Sequence, residues 1–172
     1  MKHTIQRKLF AVMISAIALS TGTAQANDMI LDNQALGIME GSVHQEAVGD
    51  ANNAEVNVGS IEARSSATAN RVEGYTGNDI VQNLNGNNLN AKLNIGTIKA
   101  ETADNNSATG RVDGAVYQQI EGNESEAEVN VGAILSDGNA AANSAEAHVS
   151  GDIYQMLQGT GSNLKLNVGT IR

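Results

Sequence analysis

From Ala108 to Ile120 every second position is small or apolar, with a single amide among them: Ala108, Gly110, Val112, Gly114, Val116, Gln118 and Ile120. A period of two places these residues on one face of an extended chain, whereas a helix would need a period near 3.6. The same alternation returns as Ala145, Ala147, Val149, Gly151, Ile153, Gln155 and Leu157, and as Ala35, Gly37, Met39, Gly41, Val43, Gln45 and Ala47. Past a polar turn the inward set resumes as Ala127, Val129 and Val131, matched by Leu164, Leu166 and Val168, with Glu, Lys and Asn between them facing out. The intervening GDANN, GNNLN, GNESE and GTGSN are natural turns, because Gly and Asn accept positive φ at little cost. An all-β fold is predicted.

The phrase is written four times. Gln45, Gln82, Gln118 and Gln155 are spaced 37, 36 and 37 residues apart. Four residues after each stands a turn glycine (Gly49, Gly86, Gly122, Gly159), and twelve after each an asparagine (Asn57, Asn94, Asn130, Asn167). Gly59, Gly96, Gly132 and Gly169 follow, then Ile61, Ile98, Ile134 and Ile171. Such self-similarity at fixed period is the mark of a stacked-repeat architecture. It predicts a β-solenoid of four repeats, approximately 35–64, 65–101, 102–138 and 139–172, behind an N-terminal segment 27–34. A weaker half-period relates SEAEVNVG to SAEAHVSG and spaces Val112, Val131, Val149 and Val168 by 19, 18 and 19. It predicts two strand-turn-strand layers per copy, with one 37-residue layer as the alternative. RVEGYTGNDIVQ sets Val72 four residues further from its Gln than Val112 is, so a bulge or loop is expected near Tyr75.

One such layer cannot bury its own inward face, and its backbone donors and acceptors point up and down without partners. Laying copies on one another at about 4.8 Å answers both needs and puts identical residues in columns. The expectation is a structural ladder of Gln45, Gln82, Gln118 and Gln155, with their Asn partners, bonded amide to amide. Outward columns alternate in charge, as Glu55, Lys92, Glu128, Lys165 and as Glu62, Lys99, Leu135, Arg172. A second molecule added head to tail would set Lys165 and Arg172 near Glu55 and Glu62 of its neighbour. Globular β-proteins guard their edges with proline, bulges or caps, and solenoids with capping repeats. There is no proline here, and the fourth copy's last strand runs to Arg172, so an uncapped, extendable stack is expected.

Composition narrows the function. Lys2, Arg7 and Lys8, an apolar Leu9–Leu19 and the small-x-small Ala24-Gln25-Ala26 read as a signal peptide over 1–26. Taking 26 residues from 172 leaves 146, room for one domain, with seven Lys and Arg against nineteen Asp and Glu, a net −12. Nucleic acid needs clustered cations and is not an expected partner. The absence of cysteine excludes disulfides, thiol catalysis and thiolate metal sites. His44 and His148 fall on outward positions, no serine sits in a Gly-x-Ser-x-Gly elbow, and no calcium-loop motif is present. No catalytic residue, cofactor, metal site or small-molecule substrate is expected.

VYQQIEGNESEAEV and IYQMLQGTGSNLKL resemble the strand-turn-strand units of curlin-type functional amyloid subunits. The resemblance lies in architecture over roughly Ala35 to Arg172. In the curlin pattern Ser-x5-Gln-x-Gly-x2-Asn-x-Ala-x3-Gln the glycine lies two residues after the Gln, whereas here Gln118 meets Gly122, and Asn130 stands for the closing Gln. The resemblance implies a protein exported through the periplasm to the cell surface, a homopolymer with itself as partner, a nucleating subunit and an outer-membrane secretion channel. The expected function is thus a secreted subunit of extracellular amyloid-like fibres serving biofilm matrix and adhesion. Its rivals are a non-polymerising adhesin that binds glycan or a host or abiotic surface, and an enzyme built on a β-helix.

Overall fold

In the computed structural model the described residues are 29–172, so the expected signal peptide lies outside them. Among the described residues there are strands and turns but no helix. The strands form four walls of a β-solenoid. The first wall holds Met29–Leu31, Ser66–Thr68, Thr102–Asp104 and Ala140–Ala141. The second holds Gln34–Met39, Arg71–Thr76, Ser107–Val112 and Ser144–Val149, and the third Val43–Val48, Ile80–Asn85, Val116–Glu121 and Ile153–Gln158. The fourth holds Asn53–Glu62, Asn90–Ala100, Glu126–Val131 with Ile134–Ser136, and Asn163–Val168. Every wall is parallel, and each strand of the second and third copies lies between its own counterparts in the copies before and after. The first turn takes in Met29–Leu31, which pairs with Ser66–Thr68, so residues 29–34 belong to the solenoid and not to a separate segment.

Register settles the size of a layer. Gln118 faces Gln82 on one side and Gln155 on the other, and Ala127 faces Ala91 and Leu164. Ladder partners are thus a whole copy apart, and the expected pair of layers within each copy is corrected to one layer of four strands. The half-period has a different cause. The second and fourth walls line the same interior space from opposite sides, so Val112 and Val131 belong to one buried cluster with Val116, Val129 and Leu93. They look alike because they do the same work across the core.

The second copy also needs correction: it carries no insertion. Val72 pairs with Ala35 and Ala108, Thr76 with Met39 and Val112, and Tyr75 with Ile38 and Arg111. The residue equivalent to Val112 is Thr76, so setting Val72 against Val112 created four surplus residues where the strands run straight on.

Backbone meets backbone at a waist between the second and fourth walls. A Cβ on Gly37 would stand 2.1 Å from the Gly59 nitrogen, on Gly74 2.2 Å from Gly96, and on Gly110 2.2 Å from Gly132. From the other side, a Cβ on Gly96 would lie 1.8 Å from the Thr109 carbonyl oxygen. Glycine is required because no side chain fits between two interleaved main chains. The waist splits the cross-section into two lobes. One is packed by Ile61, Ala67, Val72, Ile98, Ala103, Ala108 and Ile134. The other holds two clusters, one around Leu93, Ile95 and Val116 and one around Leu84, Leu89 and Ile120. These clusters are built without a single aromatic side chain, because successive copies repeat the same contact.

Thr76 interrupts its apolar column of Met39, Val112 and Val149, and its hydroxyl is buried with no hydrogen-bond partner. An unpartnered buried hydroxyl costs about 1–3 kcal/mol. Thr76→Val should raise stability by about 1–2 kcal/mol in urea unfolding at unchanged slope; a lower midpoint would show that the hydroxyl has a partner in solution.

Candidate functional site: amide ladders and the two end layers

The four glutamines form a continuous chain of side-chain hydrogen bonds. Gln82 Nε2 donates to Gln45 Oε1, Gln118 Nε2 to Gln82 Oε1, and Gln155 Nε2 to Gln118 Oε1, each at 2.7 Å. Each amide also reaches across the lobe: Gln45, Gln82, Gln118 and Gln155 donate to the carbonyls of Glu55, Lys92, Glu128 and Lys165, each at 3.2 Å. Gln82 and Gln118 are completely buried, so the column is a polar seam between the two apolar clusters of the larger lobe. It ties the third wall to the fourth within each layer and each layer to the next. A misregistered layer would strand buried amides at about 1–3 kcal/mol each, so the seam fixes register as well as adding stability.

The expected asparagines form a second ladder on the outer side of the fourth wall. Asn94 donates to Asn57 at 2.8 Å, Asn130 to Asn94 at 2.8 Å, and Asn167 to Asn130 at 2.7 Å. A third ladder, not foreseen from the sequence, stands at the corner where the first wall passes into the second. The Asn33 backbone N–H donates to Asn70 Oδ1 at 2.9 Å, that of Asn70 to Asn106 Oδ1 at 3.0 Å, and that of Asn106 to Asn143 Oδ1 at 2.8 Å. The Nδ2 groups of Asn106 and Asn143 hold the carbonyls of Ala67 and Ala103. Its signal was present: Asn33, Asn70, Asn106 and Asn143 repeat the 37, 36, 37 spacing of the glutamines. It went unnoticed because each sits just before a strand, outside the alternating stretch. The ladders run in opposite senses. In the Gln and Asn57 series the later copy donates to the earlier; in the Asn33 series the earlier donates to the later.

The turn glycines stack as tightly as the amides. A Cβ on Gly122 would lie 1.4 Å from the Gly86 carbonyl oxygen, and one on Gly159 1.9 Å from that of Gly122. Gly49 stands first in that column, with the Gly86 position directly over its carbonyl.

The charge columns align as expected but bond differently. Glu55 registers with Lys92, and Glu128 with both Lys92 and Lys165. Lys165 Nζ, however, reaches diagonally to Glu126 Oε1 at 2.5 Å, which raises the lysine pKa and lowers that of the carboxyl. In the other column Lys99 and Glu62 stand 3.9 Å apart. Glu55 accepts a hydrogen bond from Asn57. Arg172 is held through its backbone, its N–H donating to the Ile134 carbonyl and its own carbonyl accepting from Ser136. Glu55 and Glu62 lie in the first layer, and Lys165 and Arg172 in the fourth. Exposed pairs of this kind contribute about 0–1 kcal/mol, so backbone and amides dominate the stacking.

The two end layers differ from the interior in one respect. Among the described residues, Gln34–Met39, Val43–Val48 and Asn53–Glu62 are paired on one side only, as are Ser144–Val149, Ile153–Gln158 and Asn163–Val168. Leu164, Leu166 and Val168 are 43%, 52% and 40% exposed, whereas the equivalent Ala127, Val129 and Val131 beneath them are fully buried. Among the described residues no group of three or more His, Asp or Glu is placed to hold a metal ion. Compared with known proteins, the chain matches no family model, no curated protein and no solved structure.

A polar cluster on the second wall links three copies. Arg111 donates twice to Asp113 at 2.9 Å, Ser150 donates to it at 2.9 Å, and Tyr75 at 3.2 Å. The Arg111 guanidinium, aided by Ser150 and Tyr75, lowers the Asp113 pKa from its ordinary 3.8 to about 2.

Two outcomes follow. Gln118→Leu leaves the amides of Gln82 and Gln155 without their shared partner and should cost about 2–4 kcal/mol. Replacing Gln82, Gln118 and Gln155 together by Leu should cost clearly less than three times that amount, because fewer half-satisfied groups remain; simple additivity in denaturant unfolding would refute a coupled ladder. Since the folded Asp113 pKa is depressed, its contribution is complete above about pH 4 and is lost as pH falls toward about 2. Melting temperatures of Asp113→Asn should therefore fall less steeply than wild type across that interval; identical slopes would show that the cluster adds nothing.

Proposed function

We propose that this chain is a secreted structural subunit that assembles into extracellular amyloid-like fibres, supplying cohesion and adhesion to a biofilm matrix. The observation that carries the reading is the condition of the end layers: among the described residues both have strands paired on one side only, and the ladders that cross the stack end there half-satisfied. Gln155 Oε1 has accepted nothing from above, and Gln45 has one amide N–H with no ladder partner below, among the described residues. A second copy seated in the same direction supplies both groups, extends every wall and covers Leu164, Leu166 and Val168. The signal-peptide pattern read in residues 1–26, the absence of proline and cysteine, and the resemblance to curlin-type repeats favour the same reading. Lys165 and Arg172 of one copy would meet Glu55 and Glu62 of the next, adding electrostatic preference to the direction of addition.

Purified mature protein, incubated with thioflavin and with preformed seeds, should elongate those seeds and give a meridional fibre reflection near 4.8 Å. A stable monomer that ignores seeds would refute the reading and favour the non-polymerising adhesin. Lys165→Glu should slow elongation and Glu55→Lys should restore it; unchanged rates would remove the charge columns from the assembly step.

A further inference from the structure

Tyr117 and Tyr154 are in register on neighbouring strands of the third wall, both on its outward face. Their rings are 6.3 Å apart between centroids, inclined at 50°, within the range of contacting aromatic pairs. They are 41% and 51% exposed, so a small oxidant in solvent reaches both. Each is cut off from further tyrosines along the column, since Val81 lies beneath Tyr117. At a head-to-tail junction the position above Tyr154 would be taken by His44 of the next copy, the residue in register with Val81. Tyr75 is differently placed. It lies on the second wall between Ile38 and Arg111, its hydroxyl donates to Asp113, and the Arg111 guanidinium stands 5.7 Å over its ring.

We propose that Tyr117 and Tyr154 form an oxidative cross-linking site that staples the third and fourth layers of one molecule together. The oxidant is a peroxide acting through a peroxidase-type one-electron catalyst. Each phenol gives up one electron and its hydroxyl proton. The two radicals join through one carbon–carbon bond between ring positions ortho to the oxygens, and the hydrogens displaced there return to the oxygens. The peroxide takes up the two electrons and two protons and leaves as two waters, so the protein loses two hydrogens. Because fixed register brings these two rings together, the link is intramolecular and does not require a fibre. It closes a loop of one complete solenoid turn and fastens the most exposed layer to one paired on both sides, restricting its opening much as a disulfide would.

The test uses the whole mature chain at a dilution where it is monomeric, treated with hydrogen peroxide and a peroxidase. Expected are dityrosine fluorescence, a mass lower by two hydrogens, and, after cleavage at glutamates, a linked peptide pair containing Tyr117 and Tyr154. Met156, whose sulfur is 3.6 Å from the Tyr154 hydroxyl, is the competing target, and its sulfoxide is told apart by the gain of one oxygen. Tyr117→Phe and Tyr154→Phe should each abolish the fluorescence, while Tyr75→Phe should leave it intact. Amide exchange over residues 153–158 should slow on the order of tenfold or more in the linked chain. Absence of dityrosine from the wild type, a link through Tyr75, a predominance of covalent dimers, or unchanged exchange would each overturn the proposal. Seeded growth of untreated protein tests the fibre reading separately, and its failure would leave an intramolecular staple standing.

Discussion

A strand in this protein can satisfy its main chain only by meeting the same strand of the copy before it and the copy after it. That constraint, in-register parallel stacking, governs everything else. It places Gln on Gln and Asn on Asn, so a polar residue that would be costly alone becomes its own hydrogen-bond partner. It also explains how a core can be built from Ala, Val, Ile, Leu and Gly. The shape filled by one layer is the shape filled by the next, and the interlayer contact of an ordinary globule, with large side chains closing irregular gaps, is unnecessary.

The glycine waist is the steric counterpart of the amide seam. Interleaving of the second and fourth walls allows no Cβ in the first three copies, while four residues earlier on the fourth wall the carbonyls of Glu55, Lys92 and Glu128 accept from the glutamines. The fourth copy departs from the rule. Ala147 stands where Gly37, Gly74 and Gly110 stand below, and the separation responds. A Cβ built on Gly169 would be 3.6 Å from the Ala147 nitrogen, against 2.7 Å between Gly59 and Gly37 and 2.9 Å between Gly132 and Gly110. One methyl group thus loosens the waist in the layer whose apolar residues are least covered.

Most of this was legible from residue spacing. The Gln and Asn57 columns, the turn glycines and the four-copy solenoid follow from repeats of 37, 36 and 37 residues, because periodicity alone places like on like. Misreadings arose where likeness had a second cause. Val112 and Val131 resemble one another because they line opposite walls of one lobe, not because they stack. Val72 was matched to Val112 by residue type, although distance to the next glutamine matches it to Ala108. Diagonal contacts such as Lys165 to Glu126 depend on side-chain reach and leave no trace in a column of letters. The Asn33 series was hidden for the opposite reason: it obeys the spacing but lies at a corner, where no alternation draws attention to it.

The opposed ladders give the stack a direction that the backbone edges alone express less sharply. Gln and Asn57 amides donate toward the first copy, and the Asn33 series donates toward the fourth. Among the described residues the fourth layer therefore leaves the Oε1 of Gln155 and the Oδ1 of Asn167 without a ladder donor, while the first leaves the Oδ1 of Asn33 without one and turns its Gln45 and Asn57 amides only to the Glu55 carbonyl and carboxylate. Two fourth layers brought face to face would set carbonyl oxygen against carbonyl oxygen in a space the hydrophobic contact is drying, and two first layers would do the same with N–H groups. Opposite ends are complementary at all three ladders at once. An assembly of such units, as proposed above, would take its polarity chiefly from buried amides, whose mismatch cannot be screened by salt, and only secondarily from the exposed charges of Glu55, Glu62, Lys165 and Arg172.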